Sequence, residues 1–151
     1  MTTTPMGGPF LAPENNPAYL PNLVRRLARP APAGSVFGEG APTILVLRTS
    51  ARGGIAYGGY RWPDKVGDVA TCPDWRPTAE CGNGLHGLAL GMGEGARLSG
   101  ADDARWDVFR AALDEVVFLD HGGKIKAPRA EMVYIGTREG ALAALRGAEV
   151  V

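Results

Sequence analysis

The stretch of this sequence with the greatest potential for chemistry is residues 71–88, which read TCPDWRPTAECGNGLHGL. It contains both cysteines of the chain, Cys72 and Cys81, and one of its two histidines, His86; the other is His121. Two thiolates and two imidazoles form a ligand set that Zn²⁺ accepts in a tetrahedral site. The spacing of these residues does not match a compact zinc knuckle, so zinc is one interpretation among several.

A second interpretation makes the same stretch a small nucleophilic site. Cys81 would supply the attacking thiolate and His86 the base, with Asp74 or Glu80 orienting the imidazole. The Gly-Leu-His-Gly turn is also loosely similar to a strand of ADP-ribosyltransferase-like enzymes, on which a histidine before a glycine contacts the dinucleotide. That resemblance implies an acidic residue on a later strand, such as Glu131.

The interpretation we favour for the motif is structural. Its members are Asp74, Trp75, Cys81, Gly82, Gly84, His86 and Gly87. The glycines permit left-handed or closely approaching backbone, and we expect a positive φ at Gly82 or Gly84. The histidine would satisfy backbone groups of the loop. We therefore assign no catalytic residue, no metal and no cofactor.

A wider pattern surrounds the motif. YGGYRWP at residues 57–63 precedes it, and GKIKAPR at 123–129 and VYIGTREGA at 133–141 follow it. With these segments the chain resembles, over residues 43–146, a family of uncharacterised small bacterial and bacteriophage proteins. The resemblance implies a common fold and assigns no activity.

The first 42 residues have the composition of an extended arm. Eight of the twelve prolines fall there, and each removes a backbone donor and restricts φ. Within this arm, residues 21–29 have the spacing of a short amphipathic helix. Its predicted partner-binding residues are Leu20, Leu23, Val24 and Leu27 on the apolar face, and Arg25 and Arg26 beside it. A helix this short needs a surface on which to dock.

Residues 43–151 are predicted to form one α+β domain with a mainly antiparallel sheet and a C-terminal helix. The expected strands are residues 43–49, 55–62, 65–71, 116–119, 124–126 and 131–135. The expected helix is 138–146, with Thr137 as its N-cap and Gly147 as its stop. Residues 105–113 fit a strand or a helix equally well, because the apolar run is short. We expect this domain to fold without the arm.

Charge and hydropathy restrict the function classes. The 16 basic and 16 acidic residues balance, which argues against a nucleic-acid partner. No apolar run approaches the ~20 residues of a membrane-spanning helix. The N-terminal residues have no features of a signal peptide, so we expect a cytoplasmic or virion protein. The combined prediction is a non-enzymatic binding or structural module. Its arm would dock on another protein or a symmetry mate in a larger assembly, such as a phage particle.

Overall fold

The computed structural model describes residues 20–50, 54, 60–92, 103–120 and 123–150. In chain order its elements are α1 (Leu20–Arg26), β1 (Arg29–Pro30), β2 (Pro42–Ser50), β3 (Val69–Thr71), β4 (Leu85–Ala89), β5 (Arg105–Ala112), β6 (Val117–Phe118), β7 (Lys124–Ala127), β8 (Arg129–Gly136) and α2 (Arg138–Val150). The expected α+β class is confirmed. The extended arm stays a prediction, because residues 1–19 lie outside the described ranges.

The described strands form one antiparallel sheet in the order β3-β8-β5-β2-β4-β7-β6. β5 pairs with β2 along eight residues, from Thr43 opposite Ala112 to Ser50 opposite Arg105. β1 pairs with the start of β2. Since a strand has only two edges, β1 and β4 share the edge of β2 that β5 leaves open.

β2 is central because its sequence can be buried on both faces. All residues from Thr43 to Arg48 are buried, as expected for a strand with a continuous aliphatic run. Alternate residues enter two separate cores. Ile44 and Val46 pack in the larger core, whereas Leu45 and Leu47 pack in the smaller one.

The two cores lie on opposite sides of the sheet. The smaller core joins Leu45, Leu47 and Val108 to Ala141 and Leu145 of α2. The larger core is made of side chains from the other sheet face, from α1 and from the loops. Its bulkiest members are Trp62, Phe109, Ile125 and Met132. The central strands β2 and β5 are thus covered on both faces.

The C-terminal helix begins as expected. The Thr137 hydroxyl accepts a hydrogen bond from the Gly140 backbone N–H at 3.2 Å, so Thr137 is the N-cap. The predicted stop at Gly147 is wrong, since α2 continues to Val150. Within the described residues, no helix has the length and apolar character needed to span a membrane.

Several elements differ from the sequence-based expectations. The ambiguous segment is strand β5, and the strand expected at 65–71 is confined to Val69–Thr71. β4 is absent from the expected strands, because its residues lie in a glycine-rich stretch. The strand expected at 55–62 falls mostly on residues 55–59, which lie outside the described ranges. The predicted helix at 21–29 is shorter and ends at Arg26.

Candidate functional site

The segment between β3 and β4, residues 72–84, is closed by Asp74. Its Oδ1 accepts a hydrogen bond from the Cys72 thiol at 3.1 Å, and its Oδ2 accepts one from the Asn83 side-chain amide at 2.8 Å. The Arg76 backbone N–H donates to the Asn83 carbonyl at 3.1 Å. Asp74 therefore joins the two ends of the loop. The hydrogen bond from Cys72 is the main cause of the lowered pKa of its carboxyl.

His86 lies on β4, directly after this loop. Its Nε2 accepts a hydrogen bond from the Gly82 backbone N–H at 3.1 Å, and the ring also bonds to the backbone of Gly84. The chain turns over the ring through two left-handed residues, Gly82 at φ +92° and Asn83 at φ +54°. The expected positive φ thus occurs at Gly82, and the imidazole binds the loop backbone.

The surroundings of His86 favour a neutral ring. Burial is the largest cause of its lowered pKa, followed by the positive charges of Lys124 and Lys126. In the neutral ring Nε2 is the only acceptor, and the Gly82 N–H occupies it. His86 in this arrangement has no lone pair with which to deprotonate Cys81.

The carboxylates considered as catalytic partners have other contacts. Glu80 is exposed and accepts a hydrogen bond from the Thr78 hydroxyl at 3.0 Å. Glu131 accepts bonds from the Ser35 hydroxyl and the Val36 backbone N–H, both at 2.9 Å. Both carboxylates thus accept hydrogen bonds from other residues of the chain.

The two cysteines have different surroundings. Cys72 is buried, which together with its bond to Asp74 raises the pKa of its thiol, whereas Cys81 is exposed with its Sγ 2.8 Å from Lys124 Nζ. Both are free thiols. No cluster of three or more potential metal ligands occurs among the described residues. His121, the fourth residue of the predicted zinc set, lies outside them.

Lys126 supports the loop from below. It is fully buried, and its Nζ donates to the Gly82 carbonyl at 3.0 Å and lies 5.5 Å from the ring centroid of Trp75. Gly84 packs directly on the aliphatic stem of Lys126, where an added Cβ would meet the side chain at 2.8 Å. Close contact with the Lys126 side chain, rather than a positive φ, thus favours glycine at position 84.

A cationic and aromatic stack adjoins the loop. The Arg48 guanidinium lies 3.9 Å above the centroid of Trp62. Trp62 in turn contacts Tyr60 edge-on at 6.0 Å and Phe109 at 5.4 Å between ring centroids. The Tyr60 hydroxyl reaches back to the Thr71 carbonyl at 3.2 Å. This stack connects the centre of the sheet to the start of the loop.

An ion-pair network fixes the segment that carries Trp62. Arg105 bonds to the buried Asp107 at 2.9 Å, to the exposed Asp64 at 2.6 Å and to the Pro63 carbonyl at 2.7 Å. Burial is the main reason why the pKa of Asp107 is raised, although the bond to Arg105 opposes it. Arg105 therefore holds residues 62–64 against the start of β5.

A cleft of about 670 Å³ lies between the loop and the aromatic stack. Its walls include Arg48, Trp62, Asp74, Cys81, His86 and Lys124. The sequence motif supplied three of these residues, and analysis of the sequence missed the other three. One signal for Arg48 was available: it continues the alternation of Ile44 and Val46, so its side chain enters the same core face.

The predicted partner-binding helix contacts the protein's own core. Val24 is fully buried in the larger core, Leu27 is half-buried, and Arg25 and Arg26 are exposed. The side chains of Leu20 and Leu23 lie outside the described set. Docking of this helix on a second polypeptide stays a prediction.

The chain is similar over about two thirds of its length to bacterial ice nucleation proteins. One from Pseudomonas fluorescens is 39% identical over 99 residues, which are 66% of this chain and 8% of the relative. One from Xanthomonas campestris pv. translucens is 42% identical over 99 residues, again 66% of this chain and 6% of the relative. Ice nucleation protein InaU of Pantoea ananas is 38% identical over 99 residues, 66% of this chain and 9% of the relative.

The chain thus spans less than a tenth of the length of these relatives. No family model and no solved structure matches it. The resemblance to a family of small bacterial and phage proteins therefore stays a prediction.

These relatives correct the function expected from the sequence. The interpretation as an arm-docked module of a phage particle is wrong, because the relatives are ice nucleation proteins of bacteria. The cytoplasmic or virion location inferred with it is wrong for the same reason. The proline-rich composition of residues 1–42 does not by itself indicate a phage assembly.

Proposed function

We propose that this protein acts in ice nucleation, as a folded domain that accompanies an ice-ordering surface and does not itself order ice. The observation that carries the proposal is 38–42% identity over 99 residues to ice nucleation proteins from several bacterial genera. A segment shared at this level is expected to keep its fold and its role among related proteins.

The fold supports the restricted role. A surface that organises water into ice must be broad, flat and regular, because an ice embryo grows only after it exceeds a critical size. In the described part of the chain, α2 packs on one face of β2, β5 and β8, while α1 and the loop segments pack on the opposite face. The central strands β2 and β5 therefore offer no open face on which to order water.

The proposal is tested by exchange into the Pseudomonas fluorescens ice nucleation protein. Residues 1–151 replace its homologous segment, and droplet-freezing temperatures are compared for cells carrying the native protein, the chimera and a protein lacking the segment. We expect droplets of cells with the chimera to freeze at the same temperature as droplets of cells with the native protein. Droplets of cells with the deletion protein should freeze at a lower temperature. Phe109→Asp in the chimera should reproduce the deletion, because Phe109 is fully buried.

Two results contradict the proposal. If the deletion protein gives the same droplet-freezing temperature as the native protein, the shared segment has no part in nucleation. If the chimera is present at the native level and yet gives the low droplet-freezing temperature of the deletion protein, the domain of this chain does not perform the shared role. Droplets of the purified chain should freeze at the same temperature as droplets of buffer. Freezing at a clearly higher temperature would show that the domain itself orders ice.

A further inference from the structure

The guanidinium of Arg48 is buried without a complete set of acceptors. Arg48 is 8% exposed, and its Nη2 donates to the Thr49 carbonyl at 2.9 Å. Its Nη1 is covered and has no acceptor among the described residues. Buried donors are nearly always satisfied, so an orphan N–H on a charged group indicates a position that suits an acceptor.

Arg48 lies where the sheet opens. The pairing of β2 with β4 ends at Leu47 opposite Leu88, whereas β2 stays paired with β5 as far as Ser50. β4 likewise stays paired with β7 as far as Leu85. The two halves of the sheet therefore diverge beyond Leu47. A second space of about 340 Å³, with Arg48 in its wall, lies at this divergence.

The two spaces share three nitrogen-bearing side chains. Arg48, His86 and Lys124 line both the space at the strand divergence and the larger cleft beside it. His86 is held by the loop backbone and contributes no charge when neutral. The cations shared by the two spaces are thus a guanidinium and an ammonium.

The two carboxylates near these cations already bind other residues. Asp74, the carboxylate in the wall of the larger cleft, binds Cys72 and Asn83. Asp107, whose charge acts on Arg48, is bonded to Arg105. Burial lowers the pKa of Arg48 to about 10, as expected for a cation whose counter-charge is incomplete.

We propose that the space between Arg48 and Lys124 binds a small oxyanion, a carboxylate or phosphate group. Rotation of the guanidinium on the face of Trp62 would present Nη1 to the anion. The Lys124 ammonium, which lines the same space and lies 2.8 Å from Cys81 Sγ, would bind the same anion. Arginine suits this role because its planar donors match the oxygens of carboxylate and phosphate. Stacking on Trp62 keeps the guanidinium in place during this rotation.

Isothermal titration of the full chain with inorganic phosphate and with acetate, at fixed ionic strength against chloride, tests the proposal. We expect saturable binding of at least one of the two anions, and the one that binds identifies the group. Lys124→Gln should weaken that binding about tenfold, in line with the loss of one charge-assisted hydrogen bond. Lys65→Gln, which removes an exposed charge outside both spaces, should leave it unchanged.

Arg48→Gln should abolish the binding, and Lys124→Gln keeps the test decisive if the Arg48 variant does not fold. Absence of saturable binding by either anion overturns the proposal. Equal weakening by Lys124→Gln and Lys65→Gln also overturns it, because that result describes screening of surface charge. Ice nucleation in the chimera is measured separately, so the two proposals can fail independently.

Discussion

His86 accepts a hydrogen bond from the backbone N–H of Gly82, with 3.1 Å between Nε2 and N. The two residues are four positions apart, and the turn that brings them together needs the left-handed backbone of Gly82 and Asn83. The imidazole of His86 therefore stabilises its own loop. This bond gives the histidine and the glycines of the motif a structural reason to occur together.

Stability should fall on acidification because of His86. Folding lowers its pKa, so the unfolded chain takes up the proton first as pH falls through about 6.5. The free energy of unfolding contributed by the neutral ring is present above that pH and is lost below it. His86→Gln should flatten the dependence of the melting temperature on pH between about 8 and 5. Parallel curves for the two proteins would show that His86 does not control it.

Gly87→Ala should destabilise the fold by about 1–3 kcal/mol, as overpacking of a core does. A Cβ at Gly87 would overlap the Val46 side chain and approach the Leu47 carbonyl to 2.9 Å, and backbone cannot move aside. Gly147→Ala is the matched control, since it lies in α2 with nothing within 4 Å, and it should stabilise by up to about 1 kcal/mol. Urea unfolding measures both. Equal effects would contradict the close approach of β2 and β4.

Gly87 also shows why β4 was hidden in the sequence. LHGLA has little β-propensity, and it is a strand because it pairs with β7 and fits closely against β2. Residues 105–112 were undecidable for the same reason, since their strand state depends on pairing with β2 and β8, distant in the chain. By contrast, the aliphatic run of β2 and the Thr137 cap of α2 are local signals, and the sequence predicted both.

The candidate site was only half predictable. The Cys-Gly-Asn-Gly-Leu-His stretch stands out by its composition, whereas only the alternation with Ile44 and Val46 marks Arg48 in the sequence. It becomes special because it follows a buried strand and stacks on Trp62. A buried charge is a property of tertiary packing, which a single sequence does not show.

Deleting residues 1–40 should destabilise the domain, contrary to the expectation that residues 43–146 fold alone. The deletion removes Val24 and Ala31 from the protein interior and β1 from the edge of β2. Val24→Ala alone should cost about 2 kcal/mol, because it leaves a cavity in the core. Arg25→Ala, on the exposed side of α1, should change stability by less than about 0.5 kcal/mol.

Unfolding in guanidinium chloride of the deletion protein, Val24→Ala and Arg25→Ala measures these effects. An unchanged unfolding midpoint for the deletion would show that α1 and β1 are dispensable. In that case the sequence-based boundary at residue 42 would be correct.

Arg105→Met should destabilise the protein by about 3–5 kcal/mol at neutral pH, because it leaves the fully buried Asp107 carboxylate without its partner. The deficit should shrink as pH falls, since Asp107, whose pKa burial already raises, can then protonate. Asp64→Asn is the control. Its side chain is 68% exposed, and its loss should cost about 1 kcal/mol or less. Comparable losses for the two variants would place the stabilising contact at the surface.

Cys81 should react with a thiol reagent in the native protein, whereas Cys72 should react only after unfolding. Cys81 is exposed, but Cys72 is buried, and burial together with its bond to Asp74 raises its pKa and keeps the unreactive thiol form. Cys81→Ser should therefore abolish native labelling by iodoacetamide, and Cys72→Ser should leave it intact, as mass spectrometry of the labelled chains would show. Labelling of Cys72 at the rate of Cys81 would mean that the loop of residues 72–84 opens, and the Asp74 bonds could not then hold its ends together.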